Sequence, residues 1–288
     1  MKGIILAGGR ATRLSPVTRV ITKQLLPVYN KPMIYYPFSV LLLAGIRDIM
    51  IIGAPESKPL YEQLFGDGSS LGVRISYGIQ DAPRGIADAF LVASDFIASE
   101  PVALILGDNI FYGHGFSERL NKAAALTHGA RVFGYHVKDP QRYGVIDLDK
   151  DGRVLSIQEK PSKPRSNWAV TGLYFYDGDV VNVARSIRPS SRGELEITDV
   201  NNVYRERGSL SVELLGRGFA WLDTGTYDSL LDASSFIRTF EERQSLHIGC
   251  IEEIAYRQGY IDREQLLRLG AGMRTSYGEY LERIAKEE

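Results

Sequence analysis

The chain has 288 residues, with 34 Lys and Arg against 35 Asp and Glu, and this near-balance excludes a strong overall field for nucleic acid. Such a length buries one large core, or a core with a small appendage. The one cysteine, Cys250, excludes an intrachain disulfide, and no apolar run approaches the roughly 18 residues of a membrane span, so a cytoplasmic globular protein is expected.

Residues 4–7 form a short apolar run that ends in Gly8-Gly9-Arg10-Ala11-Thr12-Arg13, the pattern of a buried strand handing over to an anion-binding turn. The turn does not supply a Walker A loop, and it lacks the third glycine of a dinucleotide fingerprint. Its weight lies in the cations, because Arg10, Arg13, Arg19 and Lys23 stand within 14 residues. A glycine turn that admits close approach, arginine forks and a compact lysine charge together suit a polyphosphate.

Further apolar runs at 49–53, 73–77, 103–106 and 132–135 predict strands, and the segments 37–44, 59–65, 87–97 and 116–126 carry helical spacing. Continuous apolar strands alternating with helices predict an α/β fold around a mostly parallel sheet covered on both faces. Residues 143–160, with the turn Asp149-Lys150-Asp151-Gly152, read as a hairpin, and 169–176 and 210–215 as strands. From Tyr227 the pattern is helical, continuing at 252–257, 264–269 and 280–285.

Asp108 and Asp223 each follow an apolar run. Either alone is an ordinary turn former, but brought together at strand ends the pair suits Mg²⁺, which takes one or two carboxylates plus phosphate oxygens. Trp221, beside Asp223, reads as core.

The opening loop, the stretches beginning at Lys23, Leu106-Gly107-Asp108-Asn109, Tyr143-Gly144-Val145, Glu159-Lys160-Pro161, the stretch from Ala169 to Asp177, that from Arg192 to Asn201, and Trp221-Leu222-Asp223-Thr224-Gly225 occur in one order along the chain. The series resembles the sugar-nucleotide pyrophosphorylases over nearly the whole length. The resemblance implies a Rossmann-like nucleotidyltransferase domain over 1–240 with an inserted β sugar-binding region, followed by a helical extension over 241–288. It implies Mg²⁺-dependent reaction of dTTP with α-D-glucose 1-phosphate to dTDP-glucose and pyrophosphate, the first step of dTDP-L-rhamnose synthesis. UTP or another hexose 1-phosphate, or a non-catalytic nucleotide-sugar sensor, remain alternatives at this point.

Carried over position by position, the resemblance gives Gly8, Ala11 and Thr12 to the triphosphate, Arg13 to the leaving pyrophosphate and Lys23 to the phosphates. It gives Lys160 to the sugar phosphate and Asp108 and Asp223 to the metal. Gln24, Gln80 and Gly85 match base-reading positions, and Asn109, Gly144, Glu159 and Val170 match the sugar pocket. A homotetramer is implied, as is a second nucleotide site near the tail involving Glu253, Ile254 and Arg257. The chain departs from the family at Arg10 and Ala11, where the usual loop reads Gly-Gly-Ser-Gly-Thr-Arg-Leu, and at Asp88, where the family carries glutamine.

Overall fold

The computed structural model describes residues 1–9 and 12–287. Its strands are β1 (Lys2–Leu6), β2 (Pro27–Val28), β3 (Lys31–Pro32), β4 (Asp48–Gly53), β5 (Arg74–Ile79), β6 (Val102–Leu106), β7 (Asn109–Gly113), β8 (Ala130–His136), β9 (Gly144–Leu148), β10 (Val154–Glu159), β11 (Trp168–Tyr176), β12 (Leu210–Leu215) and β13 (Phe219–Asp223). The helices are α1 (Tyr35–Leu43), α2 (Lys58–Phe65), α3 (Asp88–Val92), α4 (Ser94–Ile97), α5 (Phe116–Ala124), α6 (Val180–Ser186), α7 (Ile197–Glu206), α8 (Tyr227–Gln244), α9 (Ile251–Arg257), α10 (Arg263–Ala271) and α11 (Ser276–Lys286).

A nine-stranded sheet follows the order β10-β9-β11-β6-β1-β4-β5, with β8 and then β12 added beyond β11. Strands β5, β4, β1 and β6 are parallel neighbours, while β11 and β10 run against the others. The sheet is thus mostly parallel, and the hairpin β9–β10 and β11 extend it. The hairpin turn is closed by Asp149, whose Oδ1 accepts from the amides of Asp151 and Arg153, the usual chemistry of an Asx turn.

Side chains of the central strand alternate between two layers, as a strand period of two requires. Ile5 and Ala7 join Phe38, Leu41 and Phe133 in one layer, whereas Ile4 and Leu6 join Phe90, Leu104 and Val200 in the other. Helix α1 is buried along most of its length, because α9, α5 and β7 pack around it beside the sheet. Cys250, Leu266, Tyr277 and Leu281 of the tail belong to the same apolar layer as Phe38. Helix α8 continues past residue 240 to Gln244. Among the described residues, no helix is long and apolar enough to cross a membrane.

In β1 and β6 the partners are in register from Lys2↔Val102 to Leu6↔Leu106, so both strands end at the same level. Strand β1 has β4 on its other side, which makes the β1/β6 boundary the point where the winding changes direction. Ligands of open α/β sheets bind outside the strand ends at such a point.

Candidate active site

The site grows from those two strand ends. Gly107 donates its amide to the Leu6 carbonyl at 2.9 Å, and a Cβ at this position would lie 3.1 Å from that oxygen and 3.2 Å from Ala7 Cα. Glycine lets the two strand ends run this close without displacing either, and Asp108 follows directly from it. Asp223 arrives from a different part of the chain. In the antiparallel pair β7–β13, Asp223 stands opposite Asn109, and Thr224 Oγ1 donates to the Asp108 carbonyl at 2.9 Å. The two aspartates are thereby neighbours across a short ribbon.

Two hollows open on this ridge. The first, of about 490 Å³, is lined by Gly9, Thr12, Thr22, Lys23, Gln80 and Asp81 among others. The second, of about 440 Å³, is lined by Arg13, Asp108, Asn109, Gly144, Glu159, Lys160, Val170 and Asp223, with Arg142, Tyr143, Thr198 and Trp221. Lys23 belongs to the first and Asp108 to the second, and their ion pair of 2.7 Å marks the boundary.

The carboxyl of Asp223 is raised above the ordinary carboxylate range, first by burial and then by the charge of Asp108, with Lys23, Arg142 and Arg13 opposing. Groups that influence one another this way share one electrostatic site. Two converging carboxylates that repel each other form a donor set of hard oxygens. Among the described residues no cluster of three or more Asp, Glu, His or Cys is placed to hold an ion, so a divalent cation here would take its remaining ligands from phosphate oxygens and water. Mg²⁺ is commonly bound that way, and the residues present fit it.

The candidate sugar positions are built by pairing. Gly144 and Glu159 are partners in the β9–β10 ladder, and Glu159 Oε2 accepts from Thr198 Oγ1 at 2.6 Å. Its other oxygen lies 3.5 Å from Lys160 Nζ and 3.6 Å from Arg192. Lys160 itself sits at φ +43°, the left-handed region that a residue with a Cβ enters at a cost. Its amide donates to the Tyr143 carbonyl at 3.0 Å, which holds the backbone in that turn. Asn109 is held in place, one N–H of its amide donating to Asp108 Oδ1 at 2.8 Å and its oxygen accepting from Trp221 Nε1 at 2.6 Å and from the Gly172 amide at 3.1 Å.

The candidate nucleotide positions divide. Thr12, Lys23 and Gln80 face the first hollow, with Gly8 beside Gln80. Gln24 stands back from it, 4% exposed, with its oxygen accepting from Thr22 Oγ1 at 2.8 Å. Gly85 sits at φ +105°, and a Cβ there would fall 2.3 Å from the Leu195 carbonyl oxygen, so the position admits glycine alone. Ala11 lies outside the described residues, as does Arg10.

Several site residues were not read from the sequence. Trp221 is wall as well as packing: it lines the second hollow and its ring meets those of Tyr135 and Tyr143. Arg142 reaches Asp223 at 3.7 Å, and Thr198 and Arg192 brace Glu159. The only signal for Thr198 and Arg192 was their place in the motif from Arg192 to Asn201, and Arg142 had none.

The family model described as nucleotidyl transferase matches residues 2–239. The chain is 57% identical over 288 residues to the glucose-1-phosphate thymidylyltransferase of Neisseria meningitidis serogroup A, with 100% of both covered. It is 53% identical over 289 residues to the glucose-1-phosphate thymidylyltransferase of Mycolicibacterium smegmatis, again with 100% of both covered. A solved structure from Bacillus anthracis, assigned as a glucose-1-phosphate thymidylyltransferase and in complex with sucrose, is 41% identical with a TM-score of 0.76, covering 83% of this chain and 95% of that one. Because the matched span takes in both hollows and the sheet that carries them, the chain belongs to the nucleotidyl transferase family.

Proposed function

We propose that the chain catalyses attack of a phosphate oxygen of α-D-glucose 1-phosphate on the α-phosphorus of dTTP, giving dTDP-glucose and pyrophosphate. The observation that carries this reading is the Lys23–Asp108 boundary, where a hollow with a glycine turn and cations meets a hollow with a carboxylate and hydroxyl-binding groups. Full-length relatives named for this activity support the choice of substrates.

In this reading the first hollow takes the nucleotide. Gly8, Thr12 and Ala11 hold the triphosphate, and Gln80, Gly85 and Gln24 serve the base. Arg13 stabilises the departing pyrophosphate and Lys23 the charge around phosphorus. Lys160 holds the sugar phosphate against the nucleotide's repulsion, while Glu159, Asn109, Gly144 and Val170 orient the hexose. No covalent intermediate with the protein is required, since positioning and charge neutralisation suffice for in-line displacement. Each preorganised donor is worth about 3 to 4 kcal/mol in the transition state. Asp108 and Asp223 would hold Mg²⁺, which supplies Lewis-acid polarisation and a template for phosphate oxygens.

Residues 1–240 carry the chemistry in this proposal and 241–288 serve assembly as a homotetramer and regulation. The test is a grid of pyrophosphate release over dTTP, UTP and dCTP against several hexose 1-phosphates, with Mg²⁺ and with chelator. Preference for dTTP and glucose 1-phosphate that vanishes with chelator is expected. Absence of pyrophosphate from every pair would overturn it.

A further inference from the structure

Gln80 forms part of the wall of the first hollow, and its amide is pinned. Nε2 donates to Asp88 Oδ2 at 2.8 Å and to the Gly85 carbonyl at 3.2 Å. Both partners are acceptors, so the nitrogen end of the amide must face them. Both N–H groups are then used, and Oε1 turns to the glycine loop, 3.2 Å from where a Cβ of Gly8 would stand. Asp88 is itself fixed: it is 4% exposed, and its Oδ1 accepts from Arg84 Nε at 3.1 Å. Arg84 is paired in turn with Asp81, which lines the same hollow.

The glutamine usual at position 88 in the resembling family could offer either end of its own amide, so that only the longer contact to the Gly85 carbonyl would set the polarity of Gln80. A carboxylate cannot donate, so it reinforces that polarity through the shorter of the two bonds. We infer that Asp88, backed by Arg84, is a positioning residue that locks the Gln80 amide with its oxygen toward the nucleotide. The site then favours a base that donates N–H at the edge read by Gln80, as thymine and uracil do at N3, over cytosine, whose N3 accepts. This deepens the proposed function and rests on it. The difference is chemical: a base that presents an acceptor to a fixed carbonyl leaves both groups unpaired, which selects more strongly than a missing contact.

The experiment measures pyrophosphate release by the full chain with glucose 1-phosphate and dTTP, UTP or dCTP, for wild type, Asp88→Asn, Gln80→Ala and the double variant. For Asp88→Asn the expected result is about a tenfold rise in KM for dTTP with kcat held. The dTTP-over-dCTP ratio of kcat/KM should shrink by about tenfold or more, because the Gln80 amide is then held only by the Gly85 carbonyl and the asparagine of the variant can accept a turned amide by donating to its oxygen. In the Gln80→Ala background the same substitution should add nothing, as expected of residues acting through one another. An unchanged dTTP-over-dCTP ratio in Asp88→Asn, or an equal loss with and without Gln80, would overturn the role and leave Asp88 a packing residue. Thermal melts check folding. Should Asp88→Asn not fold, Asp88→Gln or Arg84→Met reads the same ratio. Wild type that turns over dTTP while the variants keep the ratio sinks only this inference; wild type inactive with all three nucleotides sinks the proposed function and this inference with it.

Discussion

Lys23 Nζ lies 2.7 Å from Asp108 Oδ2, although 85 positions separate the two residues. The contact exists because β1 and β6 end side by side, and it ties the cation of one hollow to a carboxylate of the other. Truncating either partner leaves the other a partly buried charge without its counterion. Lys23→Ala and Asp108→Asn are each expected to slow pyrophosphate release by about a hundredfold to a thousandfold. The double variant should lose less than the product of the two. Single-turnover measurement with saturating substrates checks both statements, and full multiplicativity would argue that the two residues act independently.

Lys160 is held in a left-handed backbone conformation, and such strain collects where function fixes geometry. Lys160→Gly should therefore raise the unfolding free energy by about 1 kcal/mol while lowering turnover at least as much as Lys160→Ala. Chemical denaturation alongside the activity assay reads the two effects separately. A glycine variant no more stable than wild type would mean that the turn is not strained.

At Gly85 the argument is steric. Alanine would need both φ +105° and space already taken by the Leu195 backbone. Gly85→Ala is expected to cost about 1 to 3 kcal/mol of stability and to weaken nucleotide binding before sugar phosphate binding. Thermal shift with and without each substrate distinguishes these.

Glu252 gives a pH dependence. It is 3% exposed, and burial raises its carboxyl above the ordinary 4.5, with a hydrogen bond from Tyr277 opposing. The folded state therefore binds this proton more tightly than the unfolded state, and stability contributed by the protonated form is lost as pH rises through the window above 4.5. Glu252→Gln keeps an acceptor for Tyr277 Oη, which stands 2.6 Å from the carboxylate, and cannot ionise. Its melting temperature relative to wild type should climb across that window; a constant difference would show that Glu252 does not titrate differently on folding.

Much of this molecule is legible in its sequence. The runs at 4–7, 49–53 and 103–106 announced parallel strands because both of their faces are buried, and Asp108 and Asp223 stood out because each closes such a run. The partnerships were not legible. Nothing local says that Asp223 should pair across a ribbon with Asn109, or that Arg142, from a turn before β9, should reach Asp223. Helix α7 was hidden because its first turn, Ile197-Thr198-Asp199, mixes β-branched and acidic residues that carry weak helical preference. Trp221 reads as interior because large aromatics usually lie there, yet its indole N–H needs a partner and finds one in Asn109, on the wall of the second hollow.

The backbone of Leu195 donates to the Arg84 carbonyl at 2.7 Å and accepts from the Ala87 amide at 3.2 Å. One short crossing thus fastens the segment proposed to face the nucleobase to the residues that begin α7 and reach Glu159 through Thr198. Exchange of residues 81–88 for those of a homologue with another base preference would disturb hexose affinity as well, unless residues 194–198 were transplanted together with them.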